Sequence, residues 1–89
     1  MIKTRTTISN KLGLHARASA KLTKLAGSFP CDVFMSRGDR RINAKSIMGV
    51  MMLAAGMGTE VEVETSGERE QEAMDGLLAL VADKVGEGE

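Results

Sequence analysis

The sequence has little material for several common kinds of functional site. Among its 89 residues there is no tryptophan or tyrosine, and there are two phenylalanines, one cysteine and one histidine. So few aromatic side chains provide no stacking platform for single-stranded nucleic acid. The lone Cys31 can form neither an intrachain disulfide nor a four-ligand zinc site with one histidine. We therefore expect no nucleic-acid binding, no metal and no other cofactor.

An excess of charge of one sign is also lacking. Twelve Lys and Arg residues balance twelve Asp and Glu residues, so the whole molecule should not be attracted to nucleic acid or to an anionic membrane. The longest apolar stretch, at 47–55, is far too short to cross a bilayer, and the first residues lack the apolar segment of a signal peptide. These absences predict a soluble cytoplasmic protein with no membrane insertion, folded as one domain over 1–89.

Hydrophobic periodicity predicts the order of the elements. Alternating apolar and polar residues predict four strands, at 2–8, 31–36, 40–44 and 60–65. Helical spacing predicts three helices that begin near residues 16, 47 and 68, the second of which is closed by Gly56. The tail at 86–89 should fray. The order βαββαβα, with one polar sheet face, predicts an α+β fold: an open-faced two-layer sandwich in which three helices cover one face of a four-stranded, mainly antiparallel sheet.

The single histidine stands where a loop becomes a helix. His15 follows Gly13 and precedes Arg17. The first N–H groups of a helix lack intrahelical partners, so those of Ala16 and Arg17 are candidate donors to a phosphoryl group on His15. Neutral imidazole is a nucleophile, and the guanidinium of Arg17 matches phosphate oxygens. The spacing alone still favours the alternative, in which His15 only starts a helix and Arg17 is a solvated charge.

The second predicted helix is apolar on two faces. At about 100° per residue, one face carries Val50, Leu53 and Ala54. The other face carries Ile47, Met48, Met51 and Met52. A short surface helix can bury only one face, so the second is a candidate docking surface for several partners, a use to which methionine is suited. Burial of the helix on all sides is the alternative.

Two further features near this helix have alternative explanations. Lys24 extends a basic row with Arg17 and Lys21 along the first helix, which would steer an acidic partner or be ordinary solvated charge. Gly49 lies inside the second helix, where glycine costs about 1 kcal/mol relative to alanine. Either the close approach of a partner or local packing would explain that glycine.

Two stretches resemble the signature motifs of one family. The run Gly-Leu-His-Ala-Arg at 13–17 resembles the active-site signature of HPr, the histidine-containing phosphocarrier of the bacterial phosphotransferase system. The run Ala-Lys-Ser-Ile-Met-Gly-Val at 44–50 resembles that family's regulatory-serine motif. The resemblance covers essentially the whole chain. The family commonly has proline after the arginine, where this chain has Ala18, which should leave the first helical turn less rigid.

The resemblance implies a phosphoryl carrier rather than an autonomous enzyme. His15 would accept phosphate from enzyme I, ultimately from phosphoenolpyruvate, and give it to an enzyme IIA domain. Ser46, which is placed to cap the second helix, would be a target of an HPr kinase/phosphorylase. A purely regulatory, nitrogen-related binding protein of the same system would use the same chemistry. A small enzyme with its own active site would need a catalytic constellation that this sequence lacks. We expect a monomer.

Overall fold

A computed structural model describes residues 1–86, and its elements follow the predicted order βαββαβα. The strands are β1 (Ile2–Thr7), β2 (Asp32–Arg37), β3 (Arg40–Asn43) and β4 (Glu60–Ser66). The helices are α1 (Ala16–Gly27), α2 (Ile47–Met52) and α3 (Glu70–Ala82), and a 3-10 turn at Lys84–Gly86 follows α3. The predicted fraying tail beyond Gly86 lies outside the described residues.

The four strands form one sheet in the order β1-β4-β2-β3. Every neighbouring pair is antiparallel, and β4 is central, with Thr4 of β1 and Met35 of β2 both opposite Val63. The helix α1 connects β1 to β2 by crossing over the intervening β4. The predicted antiparallel open-faced sandwich is confirmed.

The core lies between the helices and one face of the sheet. Alternate residues of the two inner strands are buried on this face: Val33, Met35, Val61 and Val63. They pack against buried helix residues Leu22, Val50, Leu77 and Val81. Each such side chain contributes about 2 kcal/mol through removal of apolar surface from water. No helix among residues 1–86 is long and apolar enough to span a membrane.

The helix α1 forms where the sequence predicted it. Ala18, Leu22 and Ala26 recur every four residues and are buried, because this spacing places them on one face of a helix. The helix ends at Gly27, and the next residue, Ser28, donates its backbone N–H to the carbonyls of the last turn. The exposed opposite face carries the predicted basic residues.

The helix α2 is shorter than the sequence predicted. It ends at Met52 instead of continuing to Gly56, and Ala54 has a left-handed φ of 53°. Nη1 of Arg37 donates to the carbonyl oxygens of Leu53 at 3.0 Å and Ala54 at 3.1 Å. The guanidinium of Arg40 donates to the carbonyl of Met52. Side chains of the β2–β3 hairpin therefore satisfy the last carbonyls and end the helix.

The third helix also differs from the prediction at its ends. It begins at Glu70, because Arg69 before it has a left-handed φ of 62°. Val85, predicted to continue the apolar stripe of the helix, is buried but lies in the following 3-10 turn with φ 53°. Burial of the valine side chain keeps the 3-10 turn against the core.

Candidate functional site

Buried polar groups hold the loop between β1 and α1. Nδ2 of Asn10 donates to the carbonyl of Gly13 at 2.7 Å, and the hydroxyl of Ser19 donates to the carbonyl of Leu14 at 3.0 Å. The N–H of Leu14 donates to the carbonyl of Ala55 at 2.9 Å. No pattern in the sequence predicted the roles of Asn10 and Ser19, and an asparagine at a loop start was the only signal. These bonds join the loop to α1 and to the segment after α2.

Gly13 makes this close approach possible. Its φ is +67°, and a Cβ at this position would lie 2.5 Å from the carbonyl oxygen of Ala55 and 2.7 Å from Cα of Gly56. Only glycine fits both the left-handed backbone and the lack of space. The loop therefore brings the start of α1 beside the exit from α2.

His15 is the N-cap residue of α1. Its backbone is extended, with φ −73° and ψ −179°, and its Nδ1 accepts the N–H of Arg17 at 3.3 Å. In this structure the N–H of Arg17 therefore donates to the imidazole itself, because an N-cap side chain turns back over the first helical turn. Its donation to a phosphoryl group on His15 stays a prediction. A ring nitrogen that accepts a hydrogen bond carries the lone pair. The partly buried imidazole thus has its lone-pair nitrogen at the helix N-terminus.

The other residues predicted on α1 are all exposed. Ala16 and Arg17 occupy the first turn, directly beside the imidazole. Lys24 lies in the last turn, about 10 Å along the helix axis from Arg17. It lines a shallow groove between α1 and α3 with Leu25 and Leu80. Arg17 is therefore part of the histidine site, whereas Lys24 lies at the opposite end of the helix.

Ser46 caps α2, as the sequence predicted. Its backbone is extended, and its hydroxyl oxygen accepts the N–H of Gly49 at 3.1 Å. A Cβ on Gly49 would lie 3.1 Å from the carbonyl oxygen of Asn43 and 3.4 Å from Cβ of Ile42. Local packing against β3 therefore explains the glycine, and the close approach of a partner is not required for it.

One face of α2 is buried and the other is exposed. Val50 is buried in the helix, and Leu53 is buried directly after it. The exposed apolar residues, called the α2 patch below, are Ile47, Met48, Met51 and Met52. Burial on all sides is therefore excluded. Ala54, expected on the buried face, is exposed because it lies beyond the end of the helix.

Leu12 and Met57 are also large, apolar and exposed. Leu12 lies in the loop before His15, and Met57 follows the segment to which that loop is bonded. Neither residue was predicted to be part of the site, because helical periodicity indicates exposed faces only within a helix.

The fold agrees with comparisons to known proteins. A family model for the phosphorylation site of the phosphotransferase system HPr component matches residues 2–83. Phosphocarrier protein HPr of Cupriavidus necator is 67% identical over 89 residues, which are the whole of both chains. HPr proteins carry phosphate and are not catalytic enzymes.

Solved structures support the same assignment. HPr-C-His of Thermoanaerobacter tengcongensis has a TM-score of 0.94 and 37% identity, covering 98% of each chain. An HPr dimer from the same organism has a TM-score of 0.78 and 37% identity, covering 98% of this chain and 100% of that one. Because a relative is dimeric, the monomeric state stays a prediction. The family match and the full-length relative together show that the chain belongs to the HPr family of the phosphotransferase system.

Proposed function

We propose that His15 accepts a phosphoryl group from enzyme I and passes it to an enzyme IIA domain, in a monomeric carrier that acts in the cytoplasm. One observation carries the proposal: Nδ1 of His15 lies at the N-terminus of α1, where it accepts the N–H of Arg17 at 3.3 Å. A nucleophilic nitrogen thus lies where the helix terminus favours a dianion.

The geometry suggests how the transfer proceeds. The lone pair on Nδ1 attacks the phosphorus of phosphorylated enzyme I, and a P–N bond forms. The bond between phosphorus and the donor atom breaks, and its electron pair stays with the donor. Because Nδ1 no longer accepts a hydrogen bond, the N–H of Arg17 becomes a donor to a phosphoryl oxygen. The Arg17 guanidinium adds a permanent charge. The reverse sequence of bonds delivers the group to enzyme IIA.

The α2 patch is the proposed contact surface for both partners. Its apolar side chains lie on the element after Ser46, and the loop of His15 is bonded to Ala55 just beyond it. The basic Arg17 beside His15 and Lys24 at the other end of α1 complement a partner with an acidic rim, which favours encounter along this helix. An apolar surface beside a positively charged helix face matches a partner with an apolar centre and acidic surroundings.

Ser46 is the proposed regulatory site. Its side chain is exposed at the start of α2, next to Ile47 and Met48 of the α2 patch. Phosphorylation by an HPr kinase/phosphorylase would add a charge of about −2 at the edge of the surface that must be desolvated on docking. Control of binding, rather than of folding, is the expected consequence.

Incubation with phosphoenolpyruvate and enzyme I tests the proposal. Intact mass should rise by one phosphoryl group, the modification should be labile in acid, and fragmentation should locate it on His15. His15→Ala should acquire no acid-labile phosphate and keep its fold, because the imidazole is outside the core. Acid-labile phosphate on the folded His15→Ala variant would contradict the assignment of this residue.

A further inference from the structure

Three of the six residues of α2 are exposed methionines. The chain has seven methionines, of which Met35 and Met74 are buried in the core. Met48 is 68% exposed, Met52 60% and Met51 39%. β2 and α3 each contain one methionine, whereas α2 contains three. Sulfur is therefore concentrated on the surface that is proposed to dock.

Apart from the exposed methionines, the side chains that peroxides attack are absent or buried. The sequence has no tryptophan or tyrosine, and the thiol of its single cysteine, Cys31, belongs to a residue that is only 2% exposed. Cysteine oxidation requires access and thiolate character. A peroxide in solution therefore meets the thioethers of α2 before it meets the thiol.

We propose that Met48, Met51 and Met52 are sites of reversible oxidation by hydrogen peroxide, and that their sulfoxides block docking of the phosphoryl donor. The inference rests on the proposed carrier function. In each oxidation the sulfur attacks one peroxide oxygen, an S–O bond forms as the O–O bond breaks, and the peroxide is reduced to water while the sulfur loses two electrons. A dithiol reductase reverses the step: two thiols become a disulfide, and the oxygen leaves as water.

Oxidation changes the surface of α2 without removing what holds the helix in place. The helix is anchored by buried Val50, by the adjacent buried Leu53 and by the cap from Ser46. Exposed side chains away from such features contribute little to stability. A sulfoxide oxygen, in contrast, is a strong acceptor that must lose its water when the α2 patch is covered by a partner. The modification should therefore act on docking and leave folding intact.

The test compares untreated protein with protein oxidised by hydrogen peroxide. Peptide mass spectrometry should find sulfoxide on the three α2 methionines before Met35 and Met74. The KM of enzyme I for the oxidised protein should rise at least about tenfold, with little change in Tm. Methionine sulfoxide reductases should restore the original KM. An unchanged KM with all three residues oxidised, or unfolding on oxidation, would overturn the proposal.

Two variants, each compared with its own untreated sample, assign the effect to α2. The triple variant Met48→Leu, Met51→Leu and Met52→Leu has no α2 sulfur, so peroxide should leave its KM unchanged. Met57→Leu is the matched control, because Met57 is 63% exposed but lies outside α2. This variant should respond to peroxide as the parent chain does, and protection by Met57→Leu would overturn the assignment to α2.

The outcome also separates this inference from the proposed function. If untreated protein accepts no phosphate from enzyme I, the carrier function itself fails. If untreated protein accepts phosphate normally and peroxide has no effect on KM, the carrier function stands and the oxidation proposal is wrong.

Discussion

Nη2 of Arg41 in β3 donates a hydrogen bond of 2.7 Å to Oε2 of Glu64 in β4. The two residues reach across β2, and the guanidinium lies 3.8 Å from the ring centroid of Phe34 between them. Lys3 on β1 approaches the same carboxylate at 3.9 Å. The hydrogen bond from Arg41, opposed by desolvation and aided by the two positive charges, lowers the pKa of Glu64. This network covers the middle of the open sheet face.

Glu64→Gln should lower the free energy of unfolding by about 1 kcal/mol at pH 7, since Arg41 is half exposed and solvent screens the pair. A lowered pKa makes the carboxylate stabilising above its ordinary value of 4.5, and this contribution disappears as pH falls through the lower folded-state value. The difference in the free energy of unfolding between the parent chain and Glu64→Gln should therefore become smaller below about pH 4.5. Urea unfolding from pH 3 to 7 measures this difference, with Glu62→Gln on the same strand as the control. A difference independent of pH would contradict the ionic origin.

Gly13→Ala should destabilise the protein by about 3 kcal/mol, because the methyl group clashes with the backbone at Ala55 and the left-handed φ becomes strained. The clash should also displace the loop before His15 and reduce phosphoryl acceptance. Thermal melts and transfer kinetics measure the two effects. Gly27→Ala is the control, since nothing lies within 4 Å of a Cβ there. A normal Tm for Gly13→Ala would show that the loop has room to move.

Ala54→Gly should stabilise the protein by up to about 1 kcal/mol. Alanine pays a steric penalty in the left-handed conformation that glycine avoids, and this gain exceeds the greater entropy that glycine loses on folding. Denaturant unfolding measures the change. Ala20→Gly, at an exposed helical position of α1, should instead destabilise by about 1 kcal/mol. Equal losses in both variants would mean that the backbone at 54 is unstrained.

Local signals predicted the strands, the helices and the start of α1. Alternation in β4 and fourfold spacing in α1 reflect burial of one face, which a sequence records directly. The ends of the helices could not be predicted in this way, because they depend on contacts with residues distant in the sequence and on local backbone conformation. The α2 helix stops where Arg37 reaches carbonyls 16 and 17 residues away, and α3 starts after a left-handed arginine with no glycine to indicate it. Such long-range contacts have no periodic pattern.

For the candidate site, too, local features were predictable from the sequence and contacts between distant segments were not. Local spacing predicted that His15 stands at a helix start and that α2 has a second apolar face, whereas the phosphoryl role of His15 was predicted from the family resemblance. The bond from the N–H of Leu14 to the carbonyl of Ala55 and the lack of space at Gly13 require two loops to meet. Burial of Glu64 requires Arg41 from 23 residues away. The sheet face that was predicted to be polar carries charged residues, but the carboxylate of Glu64 at its centre is covered by Arg41. Sequence patterns indicate which surfaces an element has, and packing decides what lies against them.

Ser46→Ala and Ser46→Asp should separate the structural role of Ser46 from its regulatory role. Alanine removes the acceptor for the N–H of Gly49, so it should lower stability by about 1 kcal/mol. Aspartate is a good N-cap and its charge favours a helix N-terminus, so stability should be kept or slightly raised. Thermal melts of both variants measure these differences, and a loss of stability in Ser46→Asp equal to that in Ser46→Ala would contradict capping by the carboxylate.

Ser46→Asp should impair phosphoryl transfer more than Ser46→Ala does, which is the reverse of their order in stability. In Ser46→Asp the carboxylate lies beside Ile47 and Met48, where it must lose water against a partner for which an acidic rim is proposed. The KM of enzyme I should therefore rise about tenfold, equivalent to ~1.4 kcal/mol. Ser46→Ala adds no charge and should keep a KM within about threefold of the parent. Ala79→Glu places the same charge on the exposed face of α3 and controls for net charge. If Ala79→Glu raised the KM as much as Ser46→Asp, general charge repulsion between the two proteins would explain the effect. If Ser46→Asp left the KM unchanged, a charge at residue 46 would not act as a switch. A rise confined to Ser46→Asp, in a protein that melts normally, would mean that a negative charge at the helix cap controls docking without weakening the fold.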